Sequence, residues 1–319
     1  MKLAVVGSGA IGTWLGAALA RAGHDVALIA RGAHLEAMRS GGVRVEPSEG
    51  EAYVVRPLVT GDAAEVGPVD AVLLCVKAHD QAGAGRSYAG PLLGPDTVVV
   101  AAQNGIPWWY FADRRVEAVD PSGEVSAVWP KERAIGCVVY LGASVPQPGT
   151  VHTHPEHGLV LGEPDGSDSP RLRAVVTALE SAGFPVRVSP AIRAEIWTKL
   201  MGNATFNPAS LITRAGLATM VGHPGLQPII RAGMEEVVAI ATALDAAPPM
   251  TVDERMAITA RLGDFKPSTL QDVEAGRRVE LDALLGAVVE LADHAGVPAP
   301  TLSMLYALAD LQARSLGLR

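Results

Sequence analysis

The sequence predicts an α/β N-terminal domain built on a mostly parallel sheet, followed by an all-α C-terminal domain. Three observations carry this expectation. An apolar strand, Lys2 to Val6, runs into Gly7-x-Gly9-x-x-Gly12 and then into an alanine- and leucine-rich helix from Ala10 to Ala20. Short apolar runs alternate with helical patterns as far as Val188, and from Ala191 onward only helical periodicity remains. At 319 residues the chain is long enough for two cores. The boundary falls at Ser189-Pro190, giving an expected division into residues 1–189 and 190–319.

The glycine-rich turn gives the first domain its character. In a strand–turn–helix setting, Gly7 permits the tight turn, Gly9 lets backbone approach a pyrophosphate, and Gly12 lets the helix pack closely on the sheet. The first helical amides and the positive end of the helix dipole then face the phosphates. The domain is therefore expected to be Rossmann-type, with Gly7, Ser8, Gly9, Ala10, Ile11 and Gly12 cradling a dinucleotide.

After a turn at Ala22-Gly23-His24, Asp25 to Ala30 reads as the second strand. NAD-selective folds place an acidic residue at the end of this strand. Here the end reads Ala30-Arg31-Gly32, and Asp25 stands at the opposite end. A guanidinium pairs with a 2′-phosphate where a carboxylate would repel it. The expected cofactor is thus NADP, with Arg31 on its 2′-phosphate.

Val43–Val45 and Tyr53–Val59 read as a strand pair. Val69 to Val76 is a continuous apolar run, the pattern of a parallel strand covered on both faces. It ends at Lys77, and the next strand, Val98 to Ala102, ends at Gln103-Asn104-Gly105. Ligands in open α/β sheets bind beyond the carboxyl ends of strands, so Lys77 and Asn104 are candidates for the nicotinamide side of the site. The following Pro107-Trp108-Trp109-Tyr110-Phe111 is unusual in a chain with 4% aromatic residues. It walls a substrate pocket, forms a subunit contact in a homodimer, or packs as satellite core.

Residues 119–132 read as a loop. Ile135–Leu141, Thr150–His154 and Leu159–Gly162 read as strands too closely spaced for intervening helices, hence antiparallel or mixed. His152, His154 and His157 form H-x-H-x-x-H, but nothing nearby completes a metal site and none is expected. Arg171–Ala182 reads as an amphipathic helix and Phe184–Val188 as a last strand.

Composition bounds the rest. The hydrophobic content of 49% excludes a disordered chain, and a net charge of −8 argues against nucleic acid as partner. No apolar run reaches the roughly 20 residues a membrane helix needs. The first strand begins at Lys2, which argues against a cleaved signal. The two cysteines, Cys75 and Cys137, lie far apart in apolar runs and read as buried thiols of a cytoplasmic protein.

Two stretches of the helical half carry chemistry. In Trp197-Thr198-Lys199-Leu200-Met201-Gly202-Asn203-Ala204-Thr205-Phe206-Asn207-Pro208, the residues Lys199, Asn203 and Asn207 are spaced i, i+4, i+8 among apolar neighbours. On a helix they would form one polar stripe, suited to a carboxylate and a ketone, with an end or kink at Asn207 imposed by Pro208. In Lys266-Pro267-Ser268-Thr269-Leu270-Gln271-Asp272, Ser268 is expected to cap a short helix, and Arg277, Arg278 and Glu280 to start the next.

Taken in order, the glycine motif, the Val-Lys ending at Lys77, the Gln-Asn-Gly ending at Gly105, WTKLMGNATFNP and SxLQDVxxGRxxE resemble the ketopantoate reductase family over essentially the whole chain. The resemblance implies NADPH-dependent reduction of 2-dehydropantoate to (R)-pantoate, on the route to pantothenate and coenzyme A. It implies that Lys199 is the catalytic lysine and Glu280 its paired acid. Asn104, Asn203, Asn207 and Ser268 would be substrate-binding, and Arg31, Lys77 and Asn104 cofactor contacts. The chain departs from the family pattern in the bulky residues after Gly105 and in a longer segment near 113–133. A reductase of another small 2-oxo acid, or a non-catalytic NADP sensor, are the alternatives.

Overall fold

The computed structural model describes residues 1–154 and 158–319. His157, part of the histidine motif, lies outside the described residues. The chain divides into two compact units, residues 1–103 with 123–192 and residues 104–122 with 193–319. The segment 104–122, expected within the first domain, clusters with the helical residues instead.

The first unit contains β1 (Lys2–Val6), α1 (Ala10–Arg21), β2 (Asp25–Ile29), α2 (Gly32–Gly41), β3 (Val43–Glu46), β4 (Tyr53–Val55), β5 (Leu58–Thr60), β6 (Val69–Leu74), α3 (Gln81–Leu92) and β7 (Leu93–Ala102). It continues with α4 (Glu124–Val128), β8 (Ala134–Val139), β9 (Ala143–Gln147), β10 (Thr150–Thr153), β11 (Leu159–Gly162), α5 (Pro170–Ser181) and β12 (Val186–Val188). Eight strands form one sheet in the order β12-β11-β8-β7-β6-β1-β2-β5. Every neighbouring pair is parallel except β8 with β11. The chain runs from β1 outward through β2 to β5, then returns to β6 on the other side of β1. This reversal places a topological switch point at the end of β1, where the glycine turn lies.

The expected strand from Tyr53 to Val59 is two strands. Pro57 has no amide to donate, and the chain changes sheets there: β4 pairs with β3, while β5 joins β2. A second sheet, β4-β3-β10-β9, includes β9, which the sequence pattern did not reveal. It packs on α1, so α1 is covered by both sheets and is buried from Gly12 to Leu19. The expected loop 119–132 contains the short helix α4.

The second unit is helical, as the sequence predicts. It comprises α6 (Ile192–Asn203), α7 (Phe206–Thr213), α8 (Leu217–Gly222), α9 (Gln227–Ala243), α10 (Val252–Arg261) and α11 (Ser268–Glu274). A π-helical turn at Asp282–Gly286 leads into α12 (Ala287–Ala295), and α13 (Pro300–Ser315) follows. α7 packs on α11 and α13. No described helix is long and apolar enough to cross a membrane.

A half-buried histidine ties α2 to the glycine turn. The Gly149 amide donates to His34 Nδ1 at 3.0 Å, so the neutral ring carries its proton on Nε2, which lies 3.1 Å from Thr13 Oγ1. Thr13 Oγ1 in turn donates to the Ser8 carbonyl at 3.0 Å. Burial holds the His34 pKa below its ordinary value, because charging the ring costs hydration and the Gly149 bond. The stability this neutral histidine provides is therefore present above the unfolded pKa of about 6.5 and is lost as pH falls through the lower folded value. Urea titrations should show the midpoint falling between pH 7 and 5, and His34→Gln should flatten that dependence. An unchanged slope in the variant would contradict it.

Candidate active site

The glycine turn is shaped as an anion cradle. Gly7 adopts φ +100°, and a Cβ there would overlap the backbone at Cys75 and Val76. A Cβ on Gly12 would overlap the Gly7 carbonyl, while the space beside Gly9 is open. Gly9 caps α1 without any side-chain hydrogen bond, and no acidic residue sits in the first turn. The first amides are thus left for a ligand, with nothing negative to repel a phosphate. The Ser8 hydroxyl donates to the Ile29 carbonyl at 3.0 Å and so anchors the turn to β2. Arg31 follows β2 as the N-cap of α2 and is exposed. Lys77 lies three residues beyond β6, half-buried at the start of a 3₁₀ turn.

The second unit holds the other candidates. Lys199 lies on α6, among the buried Ile196, Trp197, Leu200 and Met201. Its Nζ donates to Asn104 Oδ1 at 2.6 Å. Asn104 is brought there by the chain that follows it. Gly105, at φ +86°, lies so close to the Ala283 carbonyl that any Cβ would collide with it. The Ile106 amide donates to that same carbonyl at 2.9 Å. Glu280 is three residues before Ala283, half-buried, just ahead of the helix rather than inside its first turn. Its carbonyl accepts from the Leu284 amide at 3.2 Å.

The expected single helix through Lys199, Asn203 and Asn207 is two helices. Proline would clash with the carbonyl four residues back, here Ala204, so the ladder breaks at Ala204–Thr205 and restarts from the Thr205 carbonyl. Asn203 ends α6 half-buried. Asn207 is the buried second residue of α7 and donates through Nδ2 to Ser268 Oγ at 3.4 Å. Ser268 is not a cap. Pro267 occupies that position, and Ser268 is the exposed first residue of α11. Its hydroxyl is thereby spared from capping.

The aromatic segment after Gly105 is core of the second unit. Trp108, Trp109 and Tyr110 are each at most 2% exposed. Trp197 Nε1, two residues from Lys199, donates to Tyr110 Oη at 2.6 Å, with the rings edge to face. Arg193 Nε donates to the Tyr110 carbonyl at 2.9 Å. Burial pushes the Tyr110 phenol up to about 12, so it stays a neutral hydroxyl. The roles of Tyr110 and Trp197 were not readable beforehand; the one signal was the rarity of aromatics elsewhere. Of the motif's described histidines, His152 serves the small sheet, pairing with Glu46 across β10 and β3. Among the described residues no cluster of three or more His, Cys, Asp or Glu could hold a metal.

Comparison with known proteins places this architecture. Residues 3–166 match the model described as ketopantoate reductase PanE/ApbA, and residues 191–313 match its C-terminal counterpart. The chain belongs to the ketopantoate reductase family. It is similar to a 2-dehydropantoate 2-reductase of Mesorhizobium japonicum, at 40% identity over 97% of this chain and 96% of the relative. A PanE/ApbA family ketopantoate reductase from Ralstonia eutropha superposes with a TM-score of 0.86 at 30% identity, covering 99% of this chain and all of the other. D-mandelate dehydrogenase, solved with NADH and anilino(oxo)acetate, shares the fold at a TM-score of 0.85 and 21% identity, with full coverage of both chains. The chain is thus an oxidoreductase of this family, with a Rossmann-like N-terminal unit and a helical C-terminal unit.

Removing the Tyr110 hydroxyl should leave the Trp197 indole N–H buried without its partner. Tyr110→Phe is expected to cost about 1–3 kcal/mol of stability in urea unfolding. A variant as stable as the parent would show that this bond does not hold α6 to the aromatic segment.

Proposed function

We propose that the protein reduces 2-dehydropantoate to (R)-pantoate with NADPH, in a cytoplasmic route to pantothenate and coenzyme A. The observation that carries this reading is the Lys199–Asn104 hydrogen bond, an ammonium held by a neutral amide within apolar surroundings. The cradle at Gly7–Gly12 fits a dinucleotide: it is closed where a Cβ would intrude, and open at Gly9 beside uncapped amides. Gly7, Ser8, Gly9, Ala10, Ile11 and Gly12 would hold the pyrophosphate through their backbone. Arg31, exposed at the end of β2 with no acidic residue in its place, would pair with the 2′-phosphate. Lys77 would lie along the cofactor. When bound, the reduced nicotinamide supplies the hydride.

The helical unit supplies polarisation and the proton. As hydride reaches a ketone carbon, negative charge grows on the carbonyl oxygen, and groups already oriented toward that charge lower the barrier most. Lys199 Nζ would donate a hydrogen bond to this oxygen and then a proton. Asn104 fixes where the ammonium sits without cancelling its charge. Glu280 would orient the ammonium or accept from the nascent hydroxyl. Asn203 and the joined pair Asn207 and Ser268 would hold the substrate's carboxylate and hydroxyl, fixing the face presented for transfer. The second reading is reduction of another small 2-oxo acid, whose carbonyl the same groups would polarise.

Steady-state assays with a panel of 2-oxo acids, using NADPH and NADH in parallel, test the proposal. The highest kcat/KM is expected for 2-dehydropantoate with NADPH. Arg31→Ala should raise the KM for NADPH about tenfold to a hundredfold, from loss of a charge-assisted pair, and leave NADH almost unaffected. Preference for another acid would select the second reading, and equal use of both cofactors by the parent enzyme would remove Arg31 from its role.

A further inference from the structure

The segment that carries Glu280 has no helix or strand of its own from Arg277 to Glu280. It is held from outside, by Leu318 and Arg319. The Val279 amide, immediately before Glu280, donates to the Leu318 carbonyl at 3.0 Å. Two residues after Glu280, the Asp282 carboxylate receives both guanidinium nitrogens of Arg319, Nη2 on Oδ1 at 2.6 Å and Nη1 on Oδ2 at 2.8 Å. Such two-pronged pairing fixes direction as well as distance.

Other residues lock Arg319 in turn. Its Nε donates to Asp310 Oδ1 at 2.5 Å, and its Nη2 to Tyr306 Oη at 3.0 Å. Tyr306 Oη itself donates to Asp282 Oδ1 at 2.9 Å. Arg314 Nε holds the second Asp310 oxygen at 2.7 Å. The absence of a side chain at Gly286 leaves room for Tyr306, whose ring and hydroxyl would lie 3.1–3.2 Å from a Cβ there. The Arg319 side chain is only 17% exposed, and Leu318 is buried beside it. An exposed ion pair between mobile side chains would contribute little, but this is a five-residue network on a largely covered guanidinium.

We propose that Leu318 and Arg319 form a strap that sets the position of Glu280, with Arg319 acting as a positioning residue through Asp282. The proposal rests on the reading that Glu280 serves the carbonyl chemistry. The same short segment also carries Ala283, whose carbonyl accepts the Ile106 amide two residues past Asn104.

The test compares Arg319→Ala, Arg319→Lys, Tyr306→Phe, Glu280→Gln and the double variant Arg319→Ala/Glu280→Gln. Steady-state kinetics with 2-dehydropantoate and NADPH are measured with circular dichroism, thermal unfolding and NADPH affinity on each variant. Arg319→Ala should lower kcat about 10- to 100-fold, the scale of a displacement of roughly 1 Å at a reacting group, with NADPH affinity retained. Arg319→Lys, a single-pronged cation, should recover part of the loss, and Tyr306→Phe should show a smaller deficit of the same kind. The double variant should be no slower than Glu280→Gln alone, because the two residues act on one event.

An Arg319→Ala enzyme with full kcat, or deficits that multiply in the double variant, would overturn the strap. A merely structural role would lower the unfolding temperature and spare kcat, and would overturn it too. If Glu280→Gln turns over normally, the role of Glu280 fails and the strap fails with it. If Glu280→Gln is impaired while Arg319→Ala is not, the strap alone fails.

Discussion

The hydrogen bond from Lys199 to Asn104 is the constraint around which the helical unit is arranged. Its partners lie 95 residues apart in sequence and 2.6 Å apart in space. The chemistry of the acceptor matters as much as the distance. The amide oxygen of Asn104 localises the ammonium without adding a charge of its own. The neighbours of Lys199 on α6 are buried and apolar, and Lys199 itself is half-buried.

Such a contact persists only if both ends are anchored, and each end has its own device. Lys199 rides on a helix whose Trp197 is bonded to Tyr110 and whose Arg193 grips the Tyr110 backbone. Asn104 is fixed through its neighbours: Gly105 takes a left-handed conformation against the Ala283 carbonyl, and the Ile106 amide closes onto that carbonyl. Farther along, Glu290 binds the Glu117 and Ala118 amides at 2.7 and 2.8 Å, so the whole segment 104–122 is fastened to helices far away in sequence. This explains why these residues cluster with the helical unit although they follow directly on a sheet strand. The aromatic run that reads as an anomaly is core packing that holds the helix carrying Lys199.

What the sequence made legible was local. The order strand, glycine turn, helix announces a dinucleotide cradle because each glycine is demanded by backbone geometry within a few residues. The change to helical periodicity after Val188 is equally local, as are the patterns that make Lys199, Asn104 and Glu280 candidates. The remainder depended on distant partners. Pro57 divides one expected strand between two sheets, and β9 has a pattern too irregular to stand out. Pro208 disfavours helix at the residue before it, but the break falls three to four residues earlier, where the ring would meet a carbonyl. No periodicity could join Asn207 to Ser268 or Arg319 to Asp282, since each pairing is decided by how helices pack rather than by either segment alone.

The most direct measurement of the central claim is the rate of cofactor oxidation in a single turnover by Lys199→Ala, with NADPH and substrate affinities measured on the same protein. The account predicts that both ligands still bind while the transfer step slows by about 10²- to 10⁴-fold, the range typical of a removed proton donor or charge stabiliser. It also predicts that small primary amines added to the solution recover part of the lost rate. A transfer rate close to that of the parent enzyme, with both ligands bound, would contradict it.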